Sequence, residues 1–114
     1  MAISSEYLDY ILDLLSPLDG ITSRRMFGGC GLYKDHVFFA LISDDTLYFK
    51  VTEADTRETY QKACSTPFSY KKQGKDVTLS SYWRVPAEWL EDQEILLDYA
   101  EQSYAQTIRN PNRK

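Results

Sequence analysis

The chain has few of the residues from which catalytic and metal sites are built. Its 114 residues include one histidine and two cysteines. A Ser–His–Asp or Cys–His arrangement would depend on His36, which lies between Asp35 and Val37 in a predicted strand or turn. Metal sites need several close Cys, His or carboxylate ligands, which one histidine and two distant cysteines do not supply. We therefore predict no catalytic residue, no metal site and no cofactor.

Positive charge is also scarce, since 13 Lys and Arg residues stand against 17 Asp and Glu, for a net charge of −4. Nucleic acids and anionic membranes are bound mainly through cations, so the balance favours neither partner. No stretch reaches the roughly 20 apolar residues of a membrane helix, and the first residues lack the pattern of a secretory signal. We expect a cytoplasmic protein whose cysteines, Cys30 and Cys64, are reduced thiols.

The material for a core is ample, because 43% of the residues are hydrophobic and 14% are aromatic. The length suits one domain, so residues 1–114 are predicted to fold as a single unit with an ordered core over about residues 5–108. The first element is a helix ended by Pro17, because apolar residues recur with helical spacing at Leu8, Ile11, Leu12 and Leu15.

The apolar period then changes to two, which indicates strands. Three strands are predicted over Thr22–Phe27, Leu32–Ile42 with a break near Lys34–His36, and Thr46–Val51. Asp44 and Asp45 are predicted to form a tight turn. Gly28, Gly29 and Gly31 are predicted to form a structural turn or bulge between the first two strands.

A short helix with Thr52 as its N-cap is predicted next. A hairpin of Phe68–Lys72 and Asp76–Val85 follows, and then a helix over Ala87–Ile108 with an apolar stripe through Leu97, Ala100, Tyr104 and Ile108. The order of helix, three strands, helix, two strands and helix predicts an α+β fold, with one antiparallel sheet and helices packed on it.

The strand Val37–Ile42 is apolar at every position, so both of its faces are apolar. Either helices cover both faces of the sheet, or the second face meets a partner or another copy of the chain. We hypothesise the latter, a protein partner or a homodimer, with Tyr48 and Tyr82 contributing to the contact.

A basic aromatic hairpin over residues 68–84 supports an alternative function. Lysines there are interleaved with aromatic residues, as in domains that stack and neutralise single-stranded nucleic acid. The residues that would bind nucleic acid in this interpretation are Lys71, Lys72, Lys75 and Arg84. The opposite interpretation is an exposed hairpin whose Phe68 and Tyr70 pack into the core.

The segment from Arg24 to Tyr33, with the sequence RRMFGGCGLY, resembles the signature of the TfoX/Sxy competence-regulator family in its N-terminal domain. Further similar motifs follow in order: Thr46–Val51, Pro67–Tyr70, Ser81–Pro86 and the acidic Leu90–Asp92. The resemblance covers roughly residues 5–106 and implies a stand-alone N-terminal domain. It implies a two-layer α-β(3)-α-β(2)-α sandwich like that of secretion chaperones.

The resemblance also implies a non-enzymatic, bacterial regulator that acts on transcription of natural-competence (DNA-uptake) genes. The implied partner is the transcription machinery, such as the cyclic-AMP receptor protein. We predict that Arg24 and Arg25 are exposed and bind the partner, and that changing both to Ala weakens binding with little change in stability.

Overall fold

The computed structural model describes residues 5–26 and 29–110, and this part contains four helices and six strands. In chain order they are α1 (Ser5–Leu14), β1 (Ile21–Met26), β2 (Gly29–Lys34), β3 (Val37–Ser43), β4 (Thr46–Lys50), α2 (Ala54–Lys62), β5 (Pro67–Lys72), β6 (Lys75–Arg84), α3 (Ala87–Leu90) and α4 (Gln93–Arg109). None of the described helices combines the length and apolarity needed to span a bilayer.

The described strands form one antiparallel sheet in the order β1-β2-β3-β4-β6-β5. The main core lies between one face of this sheet and the helices, with Ile11 of α1, Tyr60 of α2 and Leu96 of α4 among its buried side chains. This arrangement is a two-layer α/β sandwich, so the predicted α+β class is confirmed. β1 and β5 are the edge strands.

Among the described residues, four strands and not three precede α2. The predicted strand Leu32–Ile42 is interrupted by a turn at Asp35 and His36, whose φ angles are 49° and 70°. Two successive residues with positive φ are typical of the type I′ turn, which joins neighbouring antiparallel strands without splaying them. The predicted turn at Asp44 and Asp45 is confirmed and has the same positive φ angles, 54° and 53°.

Two of the three glycines predicted to form a turn are strand residues instead. β2 begins at Gly29 and includes Gly31, which pairs with Arg24 on one side and with Leu41 on the other. A Cβ atom at Gly29 would collide with the carbonyl oxygen of Ile42, so glycine permits close approach of β2 and β3 there. Gly28 lies outside the described residues.

The last predicted helix is two helices. Asp92 separates α3 from α4, because its φ and ψ angles of −129° and 97° are those of an extended residue. Its side chain caps α4 by accepting a hydrogen bond from the Ile95 N–H at 3.4 Å.

The buried side of α4 also differs from the predicted stripe. Ile108 is 50% exposed, whereas Leu96 and the polar Ser103 and Thr107 are buried together with Ala100. The Oγ of Ser103 lies 2.9 Å from the carbonyl oxygen of Phe39 and 2.7 Å from that of Lys50, and the Thr107 hydroxyl donates to the Ser103 carbonyl. Hydrogen bonding therefore allows polar residues to occupy core positions that apolar spacing does not identify.

The apolar run of β3 lies on both faces of the sheet, and a bulge interrupts its alternation. Leu32 pairs with Ala40, but the next residue of β2 pairs with Phe38, which leaves Phe39 as the extra residue. Phe39 and Ala40 both pack in the core beneath the helices, whereas Phe38 packs on the opposite face.

Candidate functional site

The face of the sheet opposite the helices, here the open face, carries a second apolar cluster. None of the described helices belongs to this cluster. Leu41, Phe68 and Tyr82 are buried at its centre, and three half-buried side chains surround them, those of Phe38, Tyr48 and Leu79. Both tyrosines predicted to contact a partner, Tyr48 and Tyr82, therefore lie on this face.

These side chains line a groove of about 650 Å³, here the aromatic groove. Its volume is within the range of sites that hold ligands or side chains of a partner. The groove runs from the turn between β3 and β4 to the β5 edge of the sheet, and its polar margin is formed by Ser43, Asp44, Ser69, Tyr70 and Lys71.

A series of aromatic rings extends from the groove toward β1. The Tyr82 ring lies 5.5 Å from the Phe38 ring, which stacks on the Tyr33 ring at 5.2 Å, centroid to centroid. The guanidinium carbon of Arg24 lies 5.7 Å from the Tyr33 centroid, a cation–π contact. Arg24 therefore continues the aromatic surface of the open face.

Arg25 does not share this surface. It pairs with Cys30, whose side chain is buried beneath the helices, whereas Arg24 pairs with Gly31. Directly paired residues project to the same face and neighbours along a strand project to opposite faces, so the two arginines point to different sides of the sheet. Both are exposed, as predicted, but they do not form one site.

A second group of rings lies toward the β5 edge. Tyr48 packs edge-on against Phe68 at 4.9 Å, and Tyr70 stacks on Phe68 at 5.7 Å. Phe68 is buried but Tyr70 is 38% exposed, so only the first of these two aromatic residues is a core residue.

The phenol groups of Tyr48 and Tyr82 remain neutral over the physiological range. Burial raises the pKa of Tyr82 to about 12 and also raises the pKa of Tyr48, an effect that Arg84 partly opposes. Within the described residues neither hydroxyl makes a hydrogen bond, so both are available to a partner.

Lys50 is a residue of the open face that the sequence prediction did not select. Its cross-strand partner is Tyr82, and its own exposure is only 8%. Burial lowers the pKa of the Lys50 ammonium, which makes no ion pair or hydrogen bond within the described residues. The alternation of Thr46, Tyr48 and Lys50 in the sequence already places Lys50 on the face that carries Tyr48, and this signal could have identified it.

The four basic residues of the alternative nucleic-acid site are spread out. Lys72 and Lys75 pair across the hairpin turn, while Lys71 pairs with Asp76 and forms an ion pair with it at 3.7 Å. Arg84 lies at the far end of β6, up to about 30 Å of extended strand from Lys75. The structure does not bring Arg84 together with the three lysines.

The histidine and the two cysteines do not lie together in one site. His36 is exposed in the turn between β2 and β3, Cys30 is buried and Cys64 is exposed at the end of α2. Within the described ranges no three His, Cys, Asp or Glu side chains are placed to hold a metal ion.

The model of one protein family, the TfoX N-terminal domain, matches residues 13–107. The chain belongs to the TfoX N-terminal domain family. The matched segment contains the whole sheet and therefore both groups of rings on the open face. The TfoX N-terminal domain family is linked to the regulation of natural competence. The curated proteins include no significant match to the chain.

Proposed function

We propose that this TfoX N-terminal domain is a non-enzymatic regulatory module that binds a protein partner through the open face of its sheet. The observation that carries the proposal is the aromatic groove, an apolar concavity that the described helices leave uncovered. Apolar patches of this kind are uncommon on monomeric proteins unless they bind something, and aromatic side chains dominate the energetics of protein interfaces.

The distribution of charge supports a partner with an acidic surface. Six carboxylates on or beside α3 and α4 are exposed, namely Glu88, Glu91, Asp92, Glu94, Asp98 and Glu101. The open face instead carries the cations Arg24, Lys50 and Arg84, placed there by the strand pairing. Opposite charge on the two layers gives the domain one face that attracts acidic surfaces and one that repels them.

The partner that fits the family's link to competence is a component of the transcription machinery, such as the cyclic-AMP receptor protein. In this proposal the domain assists that protein at competence promoters by direct contact. The proposal contains no catalytic step, and it assigns no cofactor.

A tagged pull-down from the native cell under competence-inducing conditions tests this function. The informative variant is Tyr70→Ser on the open face, and the matched control is Tyr10→Ser on α1, where the tyrosine is 46% exposed on the helical layer. We expect the cyclic-AMP receptor protein or RNA polymerase to be recovered after nuclease treatment, and Tyr70→Ser to reduce recovery several-fold more than Tyr10→Ser. Equal recovery by the two variants, or recovery of neither protein, would contradict the proposal.

A second candidate function, direct binding of single-stranded nucleic acid, is favoured by the exposed Tyr70 ring at the β5 edge, where Lys72 follows on the same face of the strand. Stacking on such a ring tolerates any base, and the lysines would contact phosphates. This function predicts binding of a labelled oligonucleotide that weakens steeply with salt and is lost in Lys72→Ala/Lys75→Ala. Binding that is undetectable at low salt would exclude it.

A further inference from the structure

Two cations of the open face, Lys50 and Arg84, lie on adjoining strands and have no ion-pair partner among the described residues. Lys50 pairs with Tyr82, and Tyr48 pairs with Arg84, so Lys50 and Arg84 are diagonal neighbours on β4 and β6. Diagonal neighbours on one face have Cα atoms about 7 to 8 Å apart. We call Tyr48, Lys50, Tyr82 and Arg84 the β4–β6 cluster.

The described residues provide no ion-pair partner for the two cations of this cluster. Neither the Lys50 ammonium nor the Arg84 guanidinium forms an ion pair or donates a hydrogen bond within the described part of the chain. Among the described residues that line the groove, Asp44 carries the one carboxylate; it lies in the turn before β4 and raises the pKa of Tyr48, but it forms no ion pair with either cation.

A cation in largely desolvated surroundings that hold no opposite charge is stabilised when an external anion pairs with it. Lys50 fits this description, because the residue is more than nine-tenths buried and forms no ion pair within the described residues, while its ammonium nitrogen keeps a contact with solvent through which an anion can reach it. The two phenols of the cluster add hydroxyl donors that have no acceptor among the described residues. Two cations and two hydroxyl donors beside an apolar groove match a carboxylate attached to an apolar body.

We propose that the β4–β6 cluster binds a carboxylate of the protein partner, and that the aromatic groove holds an aromatic or aliphatic side chain next to it. The inference rests on the proposed function and specifies the partner: an acidic peptide segment in which Asp or Glu is flanked by large apolar residues. Lys50 is the anchoring cation, and Arg84 is the second.

A second copy of the chain fits this surface less well than an acidic segment. A two-fold contact between open faces would bring the same cations, Lys50 and Arg84, of both copies to one interface. The exposed carboxylates that could balance them lie mainly on the helical layer. A foreign acidic segment supplies the missing charge directly.

The test is a titration with a defined probe. The probe is a short acetylated and amidated peptide with one glutamate between phenylalanine and leucine, compared with the same peptide carrying glutamine. We expect wild-type protein to bind the glutamate peptide about tenfold or more tighter, as a charge-assisted hydrogen bond predicts. Lys50→Met should abolish most of this preference and Lys50→Arg should keep most of it.

The control is Lys62→Met, which removes an exposed lysine that pairs with Glu58 on α2 and should keep the full preference. Melting temperatures show whether each variant is folded, and Lys50→Met is expected to melt no lower than wild type because it removes a desolvated charge. Equal affinity for the two peptides, binding of neither, or a preference that survives in Lys50→Met would overturn the proposal.

The two proposals fail separately. Recovery of the transcription protein in the pull-down without any glutamate preference would leave the interaction function standing and remove the carboxylate site. A glutamate preference that depends on Lys50, without recovery of either transcription protein, would keep the carboxylate site and remove the competence partner.

Discussion

At the scale of single residues, Gln106 connects the last helix to the start of α2. Its side-chain oxygen accepts hydrogen bonds from the backbone N–H groups of Thr52 and Glu53 at 3.1 and 3.3 Å, and its amide nitrogen donates to the Thr56 hydroxyl at 2.6 Å. The N-cap of α2 is Glu53 and makes no side-chain capping bond, so the predicted cap at Thr52 is wrong. A glutamine from a distant helix replaces the local cap.

Replacing Gln106 with Ala should lower the free energy of unfolding by about 2 to 3 kcal/mol, because two backbone donors, one buried and one partly buried, lose their acceptor. Urea unfolding measures the change. The matched control is Gln102→Ala on the same helix, where the side chain donates to Asp98 one turn earlier at an exposed position, and it should cost under about 0.5 kcal/mol. Similar values for the two variants would show that Gln106 is not a cap.

The two neighbouring arginines of β1 are predicted to differ in function. Because only Arg24 lies over the Tyr33 ring on the open face, Arg24→Ala should reduce recovery of the transcription partner in the pull-down, and Arg25→Ala should not. Both side chains are exposed, so each change should alter stability by less than about 0.5 kcal/mol. A loss of recovery with Arg25→Ala alone would place the interface on the helical side of β1.

At the scale of elements, the start of α4 depends on its own first residues. Asp92→Ala removes the side chain that accepts from the Ile95 N–H and should cost about 1 kcal/mol in thermal or urea unfolding. Asp98→Ala, an exposed acid in the middle of the same helix, is the control and should have a smaller effect. If both changes cost the same, the cap would contribute nothing specific.

The strands show where the local sequence pattern no longer predicts the face of the sheet on which a side chain lies. Alternation in the third predicted strand gave the correct faces for Leu47, Tyr48 and Phe49, because β4 is regular. In β6 the same rule fails: Leu79 joins the open face and Trp83 the core, since the register with β5 shifts between Leu79 and Trp83. An irregularity in the register reverses the face of the sheet to which each later side chain of the strand points.

At the scale of the whole molecule, several buried tyrosines make the fold sensitive to alkali. Burial raises the pKa of Tyr82 to about 12 and raises that of Tyr60 further, while an unfolded tyrosine ionises near pH 10. Between the pKa of an unfolded tyrosine and the raised pKa values of the folded protein, the folded state binds more protons than the unfolded state. The free energy of unfolding therefore keeps its full value below about pH 10 and falls as the pH rises.

The matching variant is Tyr82→Phe, measured by urea unfolding across this range together with tyrosinate absorbance. Removing one ionisable group should make the fall of the unfolding free energy less steep, by at most about 1.4 kcal/mol per pH unit. An unchanged slope in the variant would mean that Tyr82 ionises at the same pH in both states.

The sequence by itself determined the fold class, most of the element order and the presence of a second apolar face. Local rules suffice for these features, because the period of the apolar residues distinguishes helix from strand, and a strand apolar at every position has two buried faces. The side of the sheet for Tyr48 follows from the same rules. The sequence also placed Lys50 on the face of Tyr48, but nothing local marks that lysine as buried.

Only the tertiary structure decided which residues form the site. Lys50 and Arg84 are diagonal neighbours because β4 pairs with β6 and not with β5. This pairing joins segments that are distant in the sequence, so no local pattern predicts it. The separation of Arg24 from Arg25 depends likewise on the register with β2. Burial and partners are properties of the assembled sheet, since each strand contributes one side chain to a contact that exists only when its neighbours are in place.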